Sequence, residues 1–543
     1  LHPVLNYAWW QTGVIYQIFP ASFADSDHDG FGDIRGVITK LDYLSWLGID
    51  AIWLSPVFGS PLFDMGYDVT DYKKIHQKLG HLDDFKELLA KAHDRGIRII
   101  LDMVLNHTSV IHPWFEESRS SIDNPRRDWY IWHKESNRGR PNNWKSLYGG
   151  SAWEYDRATG QYYYHSFFRE QPDLNWRNPE VRQQFYEIIR FWLSLGVDGF
   201  RLDAINLIVK DKEFKNSSTP FLLHLFGREN YVTRNQEESY DIIEEIRKIA
   251  DQFPGTMLVG EIYTLPPGNP SLVSSYLSDK RQLLHLAFDF SLIFSAWRAK
   301  SYFRRIDKWL KCVPKEGWPS HVLSNHDLDR SLGMRRNRRF TDEKAKVMAT
   351  LLLTLKGTPF IYYGEEIAMK NLRIPRKNIS DPLGKKYWPW YEGRDPARTP
   401  MQWDSTRFAG FSSKEPWLPL HPEARVRNVL NQMEDEQSVL SHYRIILALR
   451  RSLISLQQGD WIPLINGQSD ILAYIRSISG EKTLVILNFS RFRKTIRNDV
   501  HLDAYVLFST HRPVLEKIST RDLKLFPFES MVCLIDKDYS PAS

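Results

Sequence analysis

Two cysteines in 543 residues, Cys312 and Cys533, are too few for a disulfide framework and lack metal-ligand spacing. Buried thiols in a reducing compartment are the simpler expectation. No apolar run reaches the length of a membrane span, and the start carries no signal-peptide pattern. A cytoplasmic protein without a membrane partner is therefore expected. Neither sign of charge is in large excess: 72 Lys and Arg face 66 Asp and Glu, and the net charge of +6 does not predict a nucleic-acid partner. The one dense basic run, Arg335-Arg336-Asn337-Arg338-Arg339, reads as a solvated loop, with an anionic partner as the other reading. No Gly-rich phosphate fingerprint follows any strand-like run, and no internal repeat or low-complexity tract stands out. Nothing marks an oligomeric state.

Aromatic residues, by contrast, are plentiful: 19 Trp, 25 Tyr and 29 Phe. Many fall in loop-like stretches such as Tyr387-Trp388-Pro389-Trp390-Tyr391. Ring faces beside hydroxyl and amide edges suit sugars, although core packing claims many of them. The rest of the composition, 42% hydrophobic and 25% charged, is that of a globular chain with one large domain and one or two smaller ones.

The first half repeats a short apolar strand, a polar loop and an amphipathic helix. Strand-like runs occur at Val14–Ile18, Ala51–Leu54, Ile97–Asp102, Gly199–Asp203, Met257–Glu261, Leu284–Phe288, Pro319–Leu323 and Pro359–Tyr363. Helical periodicity fills many of the gaps, as in Leu82–His93 and Val181–Leu195. Eight β units alternating with helices predict an α/β protein built on a (β/α)8 barrel, with a doubly wound open sheet as runner-up. The barrel would occupy residues 1–105 and 179–460. Residues 106–178, rich in Trp, Tyr, Asn and Gly, interrupt it as an inserted domain after strand three. Residues 369–422 form a long irregular loop after strand eight, and residues 461–543 read as a C-terminal antiparallel β domain.

Within this frame, Gly196-Val197-Asp198-Gly199-Phe200-Arg201-Leu202-Asp203-Ala204 holds the chain's most telling pattern. Arg201 and Asp203 lie two apart and so share one face of a strand. A buried Arg beside a buried Asp is costly unless each satisfies the other, and the cation should keep the carboxylate ionised. Such a carboxylate suits a covalent nucleophile, and a purely structural ion pair would look the same. Near the start, Asp25, Asp27, Asp29 and Asp33 alternate around a glycine turn, with a backbone carbonyl expected from Phe31. Hard oxygen ligands at this spacing predict a structural Ca²⁺, with Mg²⁺ as the alternative. Gly36 stands where an EF-hand would place its final Glu, so the loop is not an EF-hand.

Four strand ends then line up: Asp102-Met103-Val104-Leu105-Asn106-His107, Arg201 with Asp203, Glu261, and Ser324-Asn325-His326-Asp327. Together they resemble the four signature regions of the α-amylase family of glycoside hydrolases (family 13). Gln171-Pro172-Asp173-Leu174-Asn175-Trp176 is similar to the extra region of its oligo-1,6-glucosidase subfamily. The resemblance covers nearly the whole chain. It implies that Asp203 is the nucleophile, Glu261 the acid/base and Asp327 a third carboxylate that binds sugar hydroxyls. It implies too that Arg201 orients Asp203 and that His107 and His326 hydrogen-bond the same sugar ring. Asp64-Met65-Gly66-Tyr67-Asp68 matches the segment that places an Asp and a Tyr, here Asp64 and Tyr67, on the terminal glucose. Arg398 matches an Arg that pairs with Asp64 and closes the pocket floor in exo-acting members, and Phe167 is a candidate wall.

A retaining glycosidase needs two carboxyl groups about 5 Å apart. The resemblance thus implies an exo-acting, retaining α-glucosidase acting on a small oligosaccharide or disaccharide. Ala204 follows the nucleophile where α-1,6-selective relatives typically carry Val. The missing methyl groups shift linkage preference by only about 1–3 kcal/mol, toward α-1,4 bonds. A transglycosylase or sucrose isomerase would use the same residues. A phosphosugar hydrolase would call on a cationic subsite. A non-catalytic relative, such as a transporter heavy-chain ectodomain, would want a membrane span and lost carboxylates.

Overall fold

The computed structural model describes residues 7–134, 139–218, 232–264, 268–330, 341–465, 470–496 and 501–536. The basic run at 335–339 lies outside the described residues. At the centre is an all-parallel sheet of eight strands. In chain order these are β1 (Ile15–Ile18), β2 (Ala51–Leu54), β3 (Arg98–Val104), β4 (Gly199–Asp203), β5 (Met257–Gly260), β6 (Leu286–Ala287), β7 (Ser320–Val322) and β8 (Thr358–Tyr362). They run β6-β5-β4-β3-β2-β1-β8-β7, and Ile15 of β1 lies opposite Phe360 of β8. The sheet therefore curls into the expected (β/α)8 barrel. At the remaining seam, Ser320 Oγ of β7 donates to the Ala287 carbonyl of β6 at 2.8 Å. Among the described residues β6 pairs only with β5, over Leu286 and Ala287, the two residues that remain strand of its longer apolar run.

The period-two pattern sorts the strand residues into two layers. Ile15, Ala51, Trp53, Ile100, Met257, Val259 and Phe360 pack into one core inside the barrel. Their neighbours Tyr16, Ile52, Leu54, Leu101, Phe200 and Leu258 join a second core facing the helices. Helix Pro179–Ser194 shows how the outer ring is built. Asn178 caps it by accepting from Glu180 N, Pro179 occupies the first turn, and Val181, Phe185, Ile188, Ile189 and Trp192 form its buried stripe. Trp192 meets Phe85 and Phe58 at ring distances of 5.2 and 5.4 Å. Truncating it to Ala would cost about 3–5 kcal/mol.

The inserted segment holds a small antiparallel sheet of Trp132–His133, Gln161–Tyr164 and Trp153–Asp156, with the second in the middle. It has its own core of Ile131, Trp144, Ala152, Trp153 and Tyr164. Beyond the barrel, β9 (Asp460–Pro463), β10 (Ile471–Ile478), β11 (Glu481–Asn488), β12 (Asp503–Ser509), β13 (Lys517–Ser519) and β14 (Ser530–Ile535) form an antiparallel sheet ordered β9-β10-β11-β14-β12-β13. Leu472, Tyr474, Val485 and Leu487 turn toward the barrel's core, whereas Ile471, Ala473, Leu484 and Ile486 build a separate one on the other face.

Candidate active site

The inward-facing parity that buries Ile100, Val259 and Gly199 continues past the apolar layer. It carries Asp102, Arg201, Asp203 and Glu261 to the carboxyl-terminal mouth of the barrel, where such folds place their chemistry. Arg201 is the hub. Its Nη1 lies 2.7 Å from Asp102 Oδ1 and 2.6 Å from Asp203 Oδ1, and its Nη2 lies 2.6 Å from Glu261 Oε2. Three acids from adjacent strands thus share one buried guanidinium. Asp102 is also held by Tyr67 OH at 2.9 Å and Trp53 Nε1 at 3.3 Å.

That sharing overturns one expectation. A lone Arg201–Asp203 pair should hold the aspartate below its usual range. Instead burial raises Asp203 to about 7, with Arg201 pulling down and Asp102 and Asp327 pushing up. Burial likewise pushes Glu261 up to about 8, against Arg201 and aided by Asp203 and Asp327. One cation cannot neutralise so many acids in a site shielded from water. Both carboxyls are thus raised together, as a coupled pair on one guanidinium.

Asp327 behaves in the opposite way. Burial opposes its charge, but His326, Arg394 and Arg398 together hold it well below the carboxylate range. Arg398 Nη2 reaches its Oδ1 at 2.8 Å and Arg394 Nη1 at 3.5 Å. His326 is pushed down to about 3 by burial, so the guanidiniums carry the permanent charge. Its ring is held by Gln17 Nε2 at 2.6 Å on Nδ1, and by Tyr67 OH at 2.5 Å and Asp327 Oδ2 at 3.2 Å on Nε2. His107 is likewise driven down to about 4 by burial. It lies beside the Tyr67 carbonyl and Gln171 Nε2, at 3.0 and 3.1 Å from its Nε2.

The Asp64 partner is a correction. Asp64 Oδ1 pairs with Arg394 Nη2 at 2.5 Å, not with Arg398. Asp381 grips the Arg394 guanidinium at 2.8 and 3.1 Å and aims it across the pocket. Arg398, one short turn later, faces the end of β7 instead, where its Nε donates to the His326 carbonyl at 2.8 Å. Gln171 Nε2 completes the Asp64 environment at 3.0 Å. Both Asp64 and Arg394 are buried.

These groups surround a cavity lined by Asp64, Tyr67, His107, Tyr148, Phe167, Gln171, Asp203, Tyr263, Asp327 and Arg394. Arg201, which also holds Glu261, contacts the lining residue Asp203, and His326 and Arg398 contact Asp327. Phe167 forms part of the wall, with ring distances of 5.2 Å to His107 and Tyr148 and 5.9 Å to Tyr263. Ala204 packs in the same apolar cluster as Phe167 and Leu207, with a left-handed φ of 44°. A Val there would add bulk to the wall and bear backbone strain as well. Arg394, Tyr148, Gln171 and Tyr263 went unread in the sequence. Gln171 opens the extra region, and Tyr263 follows Glu261 at the spacing that shares a face. Arg394 and Tyr148 sit in loops whose course no periodicity reveals.

The acidic turn near the start is only partly assembled as expected. Ligand oxygens of Asp25, Asp27 and Asp29 lie within 4.8 Å of one another. Asp33 does not join them. Its oxygens accept from Ser26 N, Ser26 Oγ and Gly36 N at 2.7, 2.8 and 2.6 Å, capping helix Ile34–Thr39. For Phe31, the backbone N–H is accounted for, donating to Asp29 Oδ1 at 2.7 Å. Burial and the neighbouring Asp29 raise Asp27, the response of a like-charged cluster that a hard cation would relieve. The turn is fastened to the long loop after β8: Ser412 Oγ donates to Asp25 Oδ2 at 2.5 Å, and Trp417 N to the Gly30 carbonyl at 2.9 Å.

The chain resembles known proteins over nearly its whole length. The family model described as alpha amylase, catalytic domain, matches residues 17–459. An oligo-1,6-glucosidase of Parageobacillus thermoglucosidasius is 38% identical over 97% of this chain and 99% of its own. A protein named "Probable alpha-glucosidase" from Rhizobium meliloti (strain 1021) is 39% identical over 89% of each chain. Among solved structures, the alpha-glucosyl transfer enzyme XgtA superposes with a TM-score of 0.90 at 35% identity, covering 98% of this chain and 100% of that one. The trehalulose synthase MutB from Pseudomonas mesoacidophila MX-45 does so with a TM-score of 0.91 at 34% identity, over 98% and 100%.

Proposed function

The chain belongs to the α-amylase family, and on that premise we propose that it is a retaining, exo-acting α-glucosidase of short α-glucosides. The observation that carries the reading is the Arg201 hub beneath a cavity floored by the Asp64–Arg394 pair. Two carboxyl groups on the two arms of one guanidinium are compatible with the ~5 Å spacing of a retaining pair. Ionised Asp203 attacks the anomeric carbon while protonated Glu261 gives its proton to the departing glycosidic oxygen. Glu261, now a base, takes a proton from water as that water displaces Asp203, and the two inversions give net retention. Asp327, kept ionised, accepts hydrogen bonds from sugar hydroxyls as charge develops on the ring. The Asp64–Arg394 pair, buried and part of the cavity lining, supports exo action.

Linkage follows the wall. The small Ala204 side chain beside Phe167 supports α-1,4 bonds, although several relatives carry oligo-1,6-glucosidase names. Glucosyl transfer or sucrose isomerisation is the second reading. XgtA is described as an alpha-glucosyl transfer enzyme, and MutB has been solved with sucrose as its substrate. The choice between them lies in whether water or a sugar meets the glucosyl-enzyme. Asp25, Asp27 and Asp29 would hold a structural Ca²⁺, which neutralises their mutual repulsion and stiffens the turn against residues 412–417.

Product analysis by NMR on maltose, isomaltose, sucrose and trehalose tests the reading. Early release of α-glucose, fastest from maltose, supports it. New disaccharides as main products favour transfer, and initial β-glucose would overturn the retaining mechanism.

A further inference from the structure

The long loop after β8 places aromatic rings in water. Trp390 is 85% exposed, Tyr391 40% and Tyr387 37%. Three exposed aromatic residues within five positions form the kind of apolar patch that marks an interaction site. The surrounding loop is firmly built. Asp381 and Arg394 clamp its two ends, with Arg394 N donating to Asp381 Oδ2 at 2.6 Å besides the guanidinium contacts. Within it, Trp388 N donates to the Gly384 carbonyl at 3.1 Å, and Trp390 N and Tyr391 N donate to the Tyr387 carbonyl at 2.9 and 3.1 Å.

The loop is also continuous with the cavity. Tyr387 OH and Lys386 Nζ donate to the Tyr148 carbonyl at 2.6 and 2.9 Å, and Tyr148 lines the cavity and packs on Phe167. The Tyr391 hydroxyl is pushed up to about 12, first by burial and then by Asp381 and Asp327, against the pull of Arg394. The clamp residue Arg394 is at once the pocket floor's partner for Asp64. The loop that bears Trp390 thus borders the cavity through two of its lining residues, Tyr148 and Arg394.

We propose that Trp390, with Tyr391 beside it, is a stacking platform for the sugars beyond the first leaving unit of an α-glucan oligosaccharide. The proposal rests on the glucosidase reading and extends it to the substrate's length. A rigid ring that meets the CH face of a hexose adds affinity without ordering a flexible side chain. The chain would accordingly favour malto-oligosaccharides over maltose.

The test compares kcat/KM on maltotetraose with that on maltose, for the full-length protein and its Trp390→Ala and Trp390→Phe variants. Trp390→Ala should lower that ratio about tenfold, a change of about 1.4 kcal/mol, while Trp390→Phe keeps most of it. In an Asp203→Asn background, calorimetry should show maltotetraose binding weakened about tenfold by Trp390→Ala. A ratio and a Kd that stay within twofold of the parent would overturn the platform alone. Absence of wild-type turnover on every α-glucoside would overturn the glucosidase reading and the platform with it.

Discussion

Replacing Arg394 with Met tests the assignment on which the pocket floor depends. Its guanidinium reaches Asp64, Asp381 and Asp327, at 2.5, 2.8 and 3.5 Å, and all four side chains are largely withdrawn from water. Removing one partner of a buried ion pair costs about 3–5 kcal/mol, because the remaining charge is left uncompensated. At ~2.1 cal/mol/K of unfolding entropy per residue, a chain of 543 residues shifts by about 1 °C per kcal/mol. Arg394→Met should thus lower Tm by about 3–4 °C. Adding Asp64→Asn removes part of the unpaired charge and should recover about 1–2 kcal/mol, a coupling visible in a double-mutant cycle. The same cycle between Asp64→Asn and Arg398→Met should show less than about 0.5 kcal/mol. Thermal unfolding of the six proteins at neutral pH supplies the numbers. Stronger coupling of Asp64 to Arg398 than to Arg394 would refute the reasoning.

Activity on maltose should follow a bell in pH whose limbs, near 7 and near 8, belong to the coupled Asp203–Glu261 pair: one proton must be lost and the other kept. A profile flat from about pH 5 to pH 10 would remove the pair from the rate-determining chemistry. Stability should move the other way from ordinary acids. The folded state holds the Glu261 proton up to about 8 against an ordinary 4.5, so its contribution is complete below 4.5 and lost as pH rises through 8. Glu261→Gln should therefore gain Tm over wild type above pH 8, and that gain should vanish below pH 4.5; an equal difference at both ends would contradict it. Ala204→Val should raise the α-1,6 to α-1,4 rate ratio by up to about tenfold while costing about 1–3 kcal/mol of stability, through its left-handed backbone. An unchanged ratio would assign linkage to the loops. Chelation should lower Tm, and a Tm indifferent to chelator and to added Ca²⁺ would dismiss the ion.

The barrel was legible because its strands are buried on both faces and so read as short apolar runs. Asp203, Glu261 and Asp327 were legible because strand ends are fixed by those same runs. Pairing was harder to read. Arg394 and Arg398 lie four apart in one irregular loop, and only the grip of Asp381 decides which of them faces Asp64. Asp33 shows the same limit: a carboxylate in metal-like spacing is equally suited to cap a helix, and the start of Ile34–Thr39 claims it. The Asp203 expectation failed for a different reason. The Arg201–Asp203 spacing is local, whereas Asp102 and Glu261 arrive from other strands and divide the same cation.

That division links folding to chemistry. In the barrel ladder Arg201 lies opposite Asp102 on one side and Val259 on the other, with Glu261 two residues further along. A strand displaced by a single position would turn its acid out of the barrel, since side chains alternate faces. Arg201 would then be under-neutralised in the interior, and the stray carboxylate would meet apolar helices. Misaligned barrels are thereby discouraged by the same charges to which we assign the chemistry, and the proposed catalytic centre doubles as an alignment gauge for three strands.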